Sequence, residues 1–271
     1  MKNYTDLVNR IIFEGQVTKD RTGVGTLSLF AGQLEFDLRM RFPLVTAKET
    51  RWRVAFLEML WFLRGEPNTS WLNQNGSKLW DAWADDLGNL GPVYGVNWRH
   101  WQGLDYQGRH VEVDQLANLI HGLKTNPAGR RHMVTAWNVA QIPDMALPPC
   151  HWAFQCYCGG DDWLDMQVYQ RSWDIALGAP FNVAQYALLL HMLARATGRK
   201  ARRLTFCYGD VHLYLNHVDA MGKVANRGPR WGDSAELVFH TDNTDIDGYS
   251  IDDFEVINYH PHPFVRLEVA V

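Results

Sequence analysis

The segment from Arg53 to Arg64 constrains the fold more than any other part of the 271-residue sequence. Its apolar run, VAFLEMLWFL, would leave a helix without a polar face, so such a helix has to be buried on all sides. The run is far shorter than the roughly 20 apolar residues that span a bilayer, and it contains Glu58. We therefore expect a core helix of a globular protein and no membrane segment.

The remaining sequence mixes the two hydrophobic periods. Positions with a helical period predict helices at 4–12, 113–124, 181–196 and 212–224. Alternating positions predict strands at 34–38, 132–139, 151–158, 164–172, 203–210, 253–259 and 265–271. This order lacks the strict strand–helix alternation of a doubly wound fold, which favours an α+β fold with one large mixed or antiparallel sheet packed by helices. Because no Pro-, Gly- and Ser-rich linker divides the chain, we expect a single domain over residues 1–271.

Composition excludes several classes of protein. The formal net charge of −4 argues against a general nucleic-acid-binding protein, although local arginines can still hold a small anion. The first residues, MKNYTDLVNRIIFEG, lack the long apolar run of a secretion signal. The four cysteines lack C-x-x-C spacing, a chain of this size needs no disulfides, and the eleven histidines show no ligand spacing. These features predict a cytoplasmic protein without a metal site.

Two single residues are candidates for chemistry. A buried carboxylate such as Glu58 is costly unless it is paired or protonated. It is therefore either part of a structural ion pair with Arg53 or a neighbouring arginine, or an acid that handles protons at a raised pKa. Cys150 follows MALPP and precedes His151, and the two prolines stiffen the approach to its thiol. An isolated cysteine is nevertheless more often inert core than a nucleophile.

Other polar and aromatic residues recur beside turns and strand ends. Arginine forks grip phosphate well, but most arginines are simply solvated. Asp210, His212 and Tyr214 in GDVHLY could bind a sugar or satisfy one another. Trp80 and Trp83 have the spacing of one helical face, where such a pair is usually core. The arginines that could bind a phosphate are Arg21, Arg130, Arg131 and Arg171, and Ser172 adds a hydroxyl next to Arg171.

The arrangement of these motifs is more informative than any one of them. Together they resemble the thymidylate synthase family from about residue 4 to the C-terminus, and PPCH, YQRS followed by Asp, and GxPFN are highly specific in combination. The matching segments are DRTGVGTLSLF, FPLVTAKE, LEMLWFLRG, LWDAWADDLGNLGPVYGVNWRHW, GRRHMVTAWN, MALPPCHW, QVYQRSWDIALGAPFNVAQYALL, GDVHLYLNH and PHPFVRLEVAV.

The resemblance implies an enzyme that transfers a one-carbon unit from 5,10-methylenetetrahydrofolate to C5 of dUMP. Cys150 would attack C6 of the uracil ring and so make C5 nucleophilic, and nearby Arg171 would favour its thiolate. Glu58, Tyr94 and His151 would relay protons and order water. Asn182 would face the pyrimidine, because its amide can donate to O4 and accept from N3–H, whereas cytosine presents the reverse pattern.

The resemblance also implies the binding residues. The nucleotide 5′-phosphate would be held by Arg21, Arg171 and Ser172. Arg130 and Arg131 would reach it from the other subunit of an obligate homodimer, in which a face of the sheet forms the interface. Neither a membrane nor an obligate nucleic acid partner is implied. The remaining contacts would be His212 and Tyr214 to the ribose 3′-hydroxyl, Asp174 to nucleotide and folate, Trp80 and Trp83 to the folate, and the terminal carboxylate of Val271 closing over it.

The same residues allow two products. Hydride from tetrahydrofolate gives a methyl group and dihydrofolate, whereas water gives a hydroxymethyl group and tetrahydrofolate. Asn182, the tryptophan pair and the VRLEVAV tail favour the methyl product. A binding protein that had lost catalysis, for RNA or a nucleotide, would have no need of Cys150, Glu58 and Tyr94 at once.

Several positions depart from the usual pattern of the family and keep the hydroxymethylase as the alternative. Gln185 and Tyr208 are expected near the pocket, where a new amide or phenol could position water. Ordinary repacking would explain the same changes. The other departures are Glu49, Trp152, Cys207 and Asn258, with Trp173 at a naturally variable position.

Overall fold

The computed structural model describes residues 1–160, 162–227 and 234–269. The helices are α1 Lys2–Glu14, α2 Trp52–Arg64, α3 Ser70–Gln74, α4 Gly95–Arg99, α5 Gln115–Thr125, α6 Gly178–Ala196 and α7 Val218–Ala225. The strands are β1 Gln16–Thr18, β2 Thr26–Asp37, β3 Trp101–Leu104, β4 His110–Val113, β5 Met133–Thr135, β6 His151–Gly159, β7 Trp163–Asp174, β8 Lys200–Tyr214, β9 Glu236–Phe239 and β10 Phe254–Ile257.

A six-stranded sheet organises the described residues, in the order β1-β2-β8-β7-β6-β5. Its neighbouring strands are antiparallel except β7 and β8, which are parallel and joined by α6. A parallel pair needs such a crossover, because a tight hairpin can join only antiparallel strands. The mixed sheet with packed helices confirms the predicted α+β fold.

Two apolar helices form the centre of the core. Every residue from Ala55 to Leu63 in α2 is buried, Glu58 included, as expected for a helix without a polar face. Helix α6 is apolar on nearly all sides and packs against α2 and against β7 and β8. This packing places Glu58 and the first turns of α6 on the core side of the sheet.

A local break in the sheet sets the direction of its functional side chains. The pairing of β2, β8 and β7 is interrupted where Gly209 lies between Ala31 and Arg171, and Ala31 has a positive φ of 65°. The buried positions of β8 accordingly change from even numbers, ending at Tyr208, to odd numbers, beginning at Val211. The pairing resumes in the same register beyond the break, so neighbouring strands change their buried faces together and no residue is inserted. The break therefore aims the residues after it toward the site described next.

Three sequence predictions of secondary structure are wrong. Residues 212–214 continue β8, because Tyr214 pairs with Thr26 of β2, and the helix begins only at Val218. Trp80 and Trp83 lie in a turn and not on a helix. Residues 265–269 form no strand. The described residues also contain no helix long and apolar enough to cross a membrane.

Candidate active site

Cys150 lies immediately before β6, where its thiol is partly exposed. The two prolines before it have no N–H, and their carbonyls accept from Arg171: Nε to Pro149 O at 2.9 Å and Nη2 to Pro148 O at 2.8 Å. These bonds hold Nη2 of Arg171 3.9 Å from Sγ of Cys150. Arg171 therefore lies beside the thiol, as predicted.

The thiol of Cys150 experiences opposing effects. Burial raises its pKa above the ordinary value, and the charges of Arg171 and Arg21 and a hydrogen bond with Tyr94 oppose that rise. The net direction is upward, so the expected thiolate is favoured by Arg171 but is not the resting form in this environment. The cationic side of the thiol is therefore the side from which an anionic ligand would approach.

Aromatic stacking holds Tyr94 and His151 together next to Cys150. The hydroxyl of Tyr94 accepts from the backbone N–H of Cys150 at 2.9 Å, and its ring stacks on His151 with centroids 4.2 Å apart. Nδ1 of His151 lies 2.8 Å from the hydroxyl of Tyr186. Burial lowers the pKa of His151 to about 3, so this imidazole is neutral at physiological pH. Tyr94 and His151 therefore lie together at one side of the thiol.

Within the described parts of the chain, Glu58 is held by two uncharged donors and by no cation. Trp80 Nε1 donates to one carboxylate oxygen at 2.7 Å, and Gln185 Nε2 donates to the other at 2.5 Å. Burial raises the pKa of Glu58 to about 7, against the lowering effect of these two bonds. The structural alternative, an ion pair with Arg53, is excluded because Arg53 pairs with Asp252 at 3.0 Å. Glu58 can therefore exchange a proton near neutral pH.

Asn182, in the second turn of α6, connects Glu58 to the sheet. Its Nδ2 donates to Gln185 Oε1 at 3.2 Å, and its Oδ1 accepts from Trp173 Nε1 at 3.1 Å. Gln170 Nε2 makes a longer contact of 3.4 Å to the same oxygen. Asn182 is thus oriented from both ends of its amide.

A second group of polar residues surrounds the open side of the thiol. Asp174 and His212 are cross-strand partners on β7 and β8. His212 Nδ1 lies 2.8 Å from Asp210, and its ring centroid lies 5.5 Å from that of Tyr214. The carboxylate of Asp174 accepts from the backbone N–H groups of residues 176 and 177, so it also caps the start of α6. This edge of the site can present hydroxyl-binding groups to a sugar.

Comparison with known proteins identifies the family. The thymidylate synthase family model matches residues 2–271. The chain belongs to the thymidylate synthase family. It is 46% identical to the thymidylate synthase of Corynebacterium aurimucosum over 268 residues, which cover 99% of this chain and 97% of that protein. It is 44% identical to the thymidylate synthase of Coxiella burnetii (strain RSA 493) over 271 residues, the full length of both chains.

The phosphate residues expected in this family are only partly brought together. Arg171 and Ser172 lie beside the thiol on β7, and Arg21 is close enough to influence the pKa of Cys150. Arg130 and Arg131 are exposed before β5, and no described contact joins either to Cys150. Their assignment to the phosphate site of another subunit stays a prediction.

The aromatic pair expected to hold folate is present without its predicted helix. The rings of Trp80 and Trp83 meet edge to face with centroids 5.8 Å apart. Trp80 donates to Glu58, whereas the buried Nε1 of Trp83 has no hydrogen-bond partner among the described residues. Val271 lies outside the described residues. The described residues include no group of three or more side chains that could hold a metal.

Of the two departures expected near the pocket, Gln185 hydrogen-bonds to Glu58 and Asn182, whereas Tyr208 packs against Trp173. The ring of Tyr208 lies 5.8 Å from that of Trp173, and its hydroxyl occupies the space that a Cβ at Gly32 would need. Tyr208 is therefore accommodated by the missing side chain on β2. Trp173 was not predicted to be a site residue, because nothing in the local sequence shows that its indole reaches Asn182 on another element.

Proposed function

We propose that the chain is a thymidylate synthase, which transfers the one-carbon unit of 5,10-methylenetetrahydrofolate to C5 of dUMP and gives dTMP and dihydrofolate. The observation that carries this proposal is the placement of the thiol of half-buried Cys150 between Arg171, 3.9 Å from its sulfur, and the stacked Tyr94–His151 pair. Full-length relatives named thymidylate synthase support the same reaction.

In the proposed mechanism, Sγ of Cys150 adds to C6 of the uracil ring, and the displaced electron pair moves toward O4 and C5. This breaks the conjugation of the ring and makes C5 a nucleophile. Nδ2 of Asn182 has a second hydrogen with which to donate to O4. Glu58 accepts or returns a proton around O4 through water, since its pKa of about 7 allows both states.

Tyr94 assists the later loss of the C5 proton. Burial raises its pKa well above the ordinary value, so its hydroxyl stays protonated and acts by orienting water. His151 is neutral and stacked on Tyr94, and it belongs to the same network. Expulsion of the Cys150 thiolate from C6 then restores the double bond of the ring.

The residues around Trp80 and Trp83 fit the folate. The unpartnered buried indole N–H of Trp83 can donate to a heterocycle, and the two rings form an aromatic wall beside Glu58. Burial lowers the pKa of Lys48 to about 8, and the negative charge of nearby Asp174 partly opposes this lowering. When bound, the folate supplies the one-carbon unit and then the hydride. The chain's own part is to hold it over the pyrimidine and exclude water, with Asp174 and Val271 assisting.

Nucleotide binding is divided between one chain and its copy. In the proposed arrangement Arg21, Arg171 and Ser172 hold the 5′-phosphate, and His212 and Tyr214 bind the ribose 3′-hydroxyl. Arg130 and Arg131 of a second subunit complete the phosphate site in a homodimer. The outer face of the sheet supports such a dimer because it exposes large apolar side chains: Phe30 is 83% and Tyr157 63% exposed. The four cysteines are free thiols, which agrees with a single cytoplasmic catalytic domain.

Identification of the product tests the reaction. Incubation with dUMP and 5,10-methylenetetrahydrofolate should give a nucleotide with the mass of dTMP and the absorbance of dihydrofolate. The hydroxymethylase alternative is not favoured by relatives named thymidylate synthase, and both ends of the Gln185 amide are bonded to protein groups. Formation of 5-hydroxymethyl-dUMP without dihydrofolate would contradict the proposal.

A further inference from the structure

Four side chains from three elements form one continuous line of hydrogen bonds. Trp173 of β7 donates to Oδ1 of Asn182 at 3.1 Å, and Nδ2 of Asn182 donates to Oε1 of Gln185 at 3.2 Å. Nε2 of Gln185 then donates to Glu58 of α2 at 2.5 Å. In each of these three bonds, the donor is on the side of Trp173 and the acceptor is on the side of Glu58.

The ends of this line fix the direction of the two amides between them. An indole N–H can only donate, so Asn182 must turn its oxygen toward Trp173. An ionised carboxylate can only accept, so Gln185 must turn its NH2 group toward Glu58. A reversed line would bring the Nδ2 hydrogens of Asn182 against the indole N–H of Trp173, two donors facing each other, even if Glu58 were protonated.

Packing prevents the ends from adjusting. The Trp173 ring is fully buried and stacks on Phe206, with centroids 4.9 Å apart and planes 14° from parallel. Gln185 is fully buried as well, and Glu58 is further held by Trp80 at 2.7 Å. Asn182 itself is half-buried, so it is the fully buried Trp173 and Gln185 that have no solvent to replace a lost hydrogen-bond partner.

The direction of the Asn182 amide decides which pyrimidine it can bind. With its nitrogen toward Gln185 and Glu58, the amide can donate to O4 and accept from N3–H, the pattern of uracil. Turned by 180°, it would accept from the amino group at C4 and donate to N3, the pattern of cytosine. The same side chain therefore suits either base, and its orientation alone makes the choice.

We propose that Trp173 and Gln185 are specificity-determining positioning residues, which lock the Asn182 amide in the orientation that selects uracil over cytosine. The proposal rests on the proposed function, since it assigns the pyrimidine to Asn182. Neither residue has to touch the substrate. Trp173 acts through the indole N–H, and Gln185 acts through both ends of its amide.

Substitution of Trp173 by Phe tests the donor end of the line. W173F keeps an aromatic ring next to Phe206 but replaces the indole with a smaller ring that has no N–H. Isothermal titration with dUMP and with dCMP gives the ratio of the two dissociation constants for each variant. We expect W173F to reduce the preference for dUMP about tenfold, the effect of one hydrogen bond in a buried site.

Tyr208 provides the matched control. Its ring centroid lies 5.8 Å from that of Trp173, but it makes no hydrogen bond to Asn182 among the described contacts. Y208F should leave the dUMP preference and the turnover of dUMP unchanged. A loss of preference in Y208F equal to that in W173F would mean that packing, and not the N–H, is responsible, and would overturn the proposal.

Substitution of Gln185 by Leu tests the other end and covers the case in which W173F does not fold. Q185L removes both bonds of the amide at nearly constant volume. We expect a similar loss of preference, and also a shift of the Glu58-dependent limb of the pH–rate profile to higher pH, because a donor to the carboxylate is lost. Folded variants that bind both nucleotides with an unchanged ratio would refute the inference. Failure of the unmodified protein to form dTMP would instead refute the proposed function, whatever the ratio.

Discussion

At the scale of single residues, the site combines groups that are costly in isolation and useful together. Glu58 is buried in an apolar helix, and its environment raises its pKa to about 7. Cys150 is held between cationic side chains and an aromatic stack, with burial raising its pKa. The shift at Glu58 serves proton transfer near neutral pH, whereas the shift at Cys150 opposes formation of the thiolate, which the nearby arginine charges favour.

Replacing Cys150 by Ala should abolish turnover and leave nucleotide binding nearly intact. The variant loses the only atom that forms the covalent bond, whereas the phosphate and base contacts remain. C158A is the matched control, because Cys158 lies on β6 away from the site and should be silent. Turnover rates and dUMP titrations measure the two effects. Retained activity in C150A would show that the mechanism is wrong.

Glu58 should make the protein less stable as the pH rises from about 4.5 to about 7. The native carboxyl keeps its proton in this window while the unfolded chain has released it, so the unfolded state binds fewer protons and stability falls. The full loss is about 3 kcal/mol for a shift of this size. E58Q removes the titration. Urea unfolding at pH 5 and pH 8 should therefore show a smaller pH dependence for E58Q, and an equal dependence would contradict the assigned pKa.

At the scale of elements, Arg171 lies at the break in the sheet, and we expect the break to help set the direction of its side chain. Gly209 lies opposite Arg171, and a Cβ at residue 209 would be 3.0 Å from the carbonyl oxygen of Arg171. That contact is with backbone, which cannot rotate away as a side chain can. The lack of a side chain at residue 209 thus permits the close approach of two strands.

The substitution Gly209→Ala should therefore weaken phosphate binding. We expect a loss of about 1–3 kcal/mol of stability and a several-fold rise in KM for dUMP, since Arg171 shifts with its strand. G222A is the control: Gly222 is in α7 with its nearest contact at 3.8 Å, and Ala there should be neutral or stabilising. Thermal unfolding and steady-state kinetics measure both. An unchanged KM in a folded G209A would show that the break does not position Arg171.

The elements that sequence predicted best are those with a strong local period. Helices α1, α2 and α6 were predictable because their apolar positions repeat along one segment. The end of β8 was not, because its pairing with β2 joins residues nearly 190 positions apart, and such pairing overrides a local helical pattern. Trp173 and Gln185 were not recognised together for the same reason: their shared partner Asn182 connects a strand to a helix.

At the scale of the whole molecule, the proposed site is incomplete in one chain. Arg130 and Arg131 are exposed, and the outer face of the sheet presents apolar groups such as Phe30 and Tyr157 to solvent. A second copy that covered this face would bury them, as oligomer interfaces do. The proposed dimer would use this face of the sheet as its interface.

Mixed dimers test the exchange of arginines. The variant C150A and a variant with Arg130 and Arg131 both changed to Ala should each have little activity alone. After the two variants are unfolded and refolded together, about half of the dimers are mixed. One of the two sites in each mixed dimer then has both Cys150 and the two arginines, so we expect about a quarter of the wild-type activity. Sedimentation velocity confirms the dimer in each sample. If the mixture is no more active than its parts, the arginines do not act across subunits.

The contact between Tyr208 and Gly32 makes the residues at these two positions depend on each other. The hydroxyl and ring atoms of Tyr208 occupy the volume that any larger side chain at residue 32 would need. A side chain at residue 32 therefore fits this sheet only when residue 208 is smaller or its ring has moved. Any redesign of this part of the sheet has to change the two positions together.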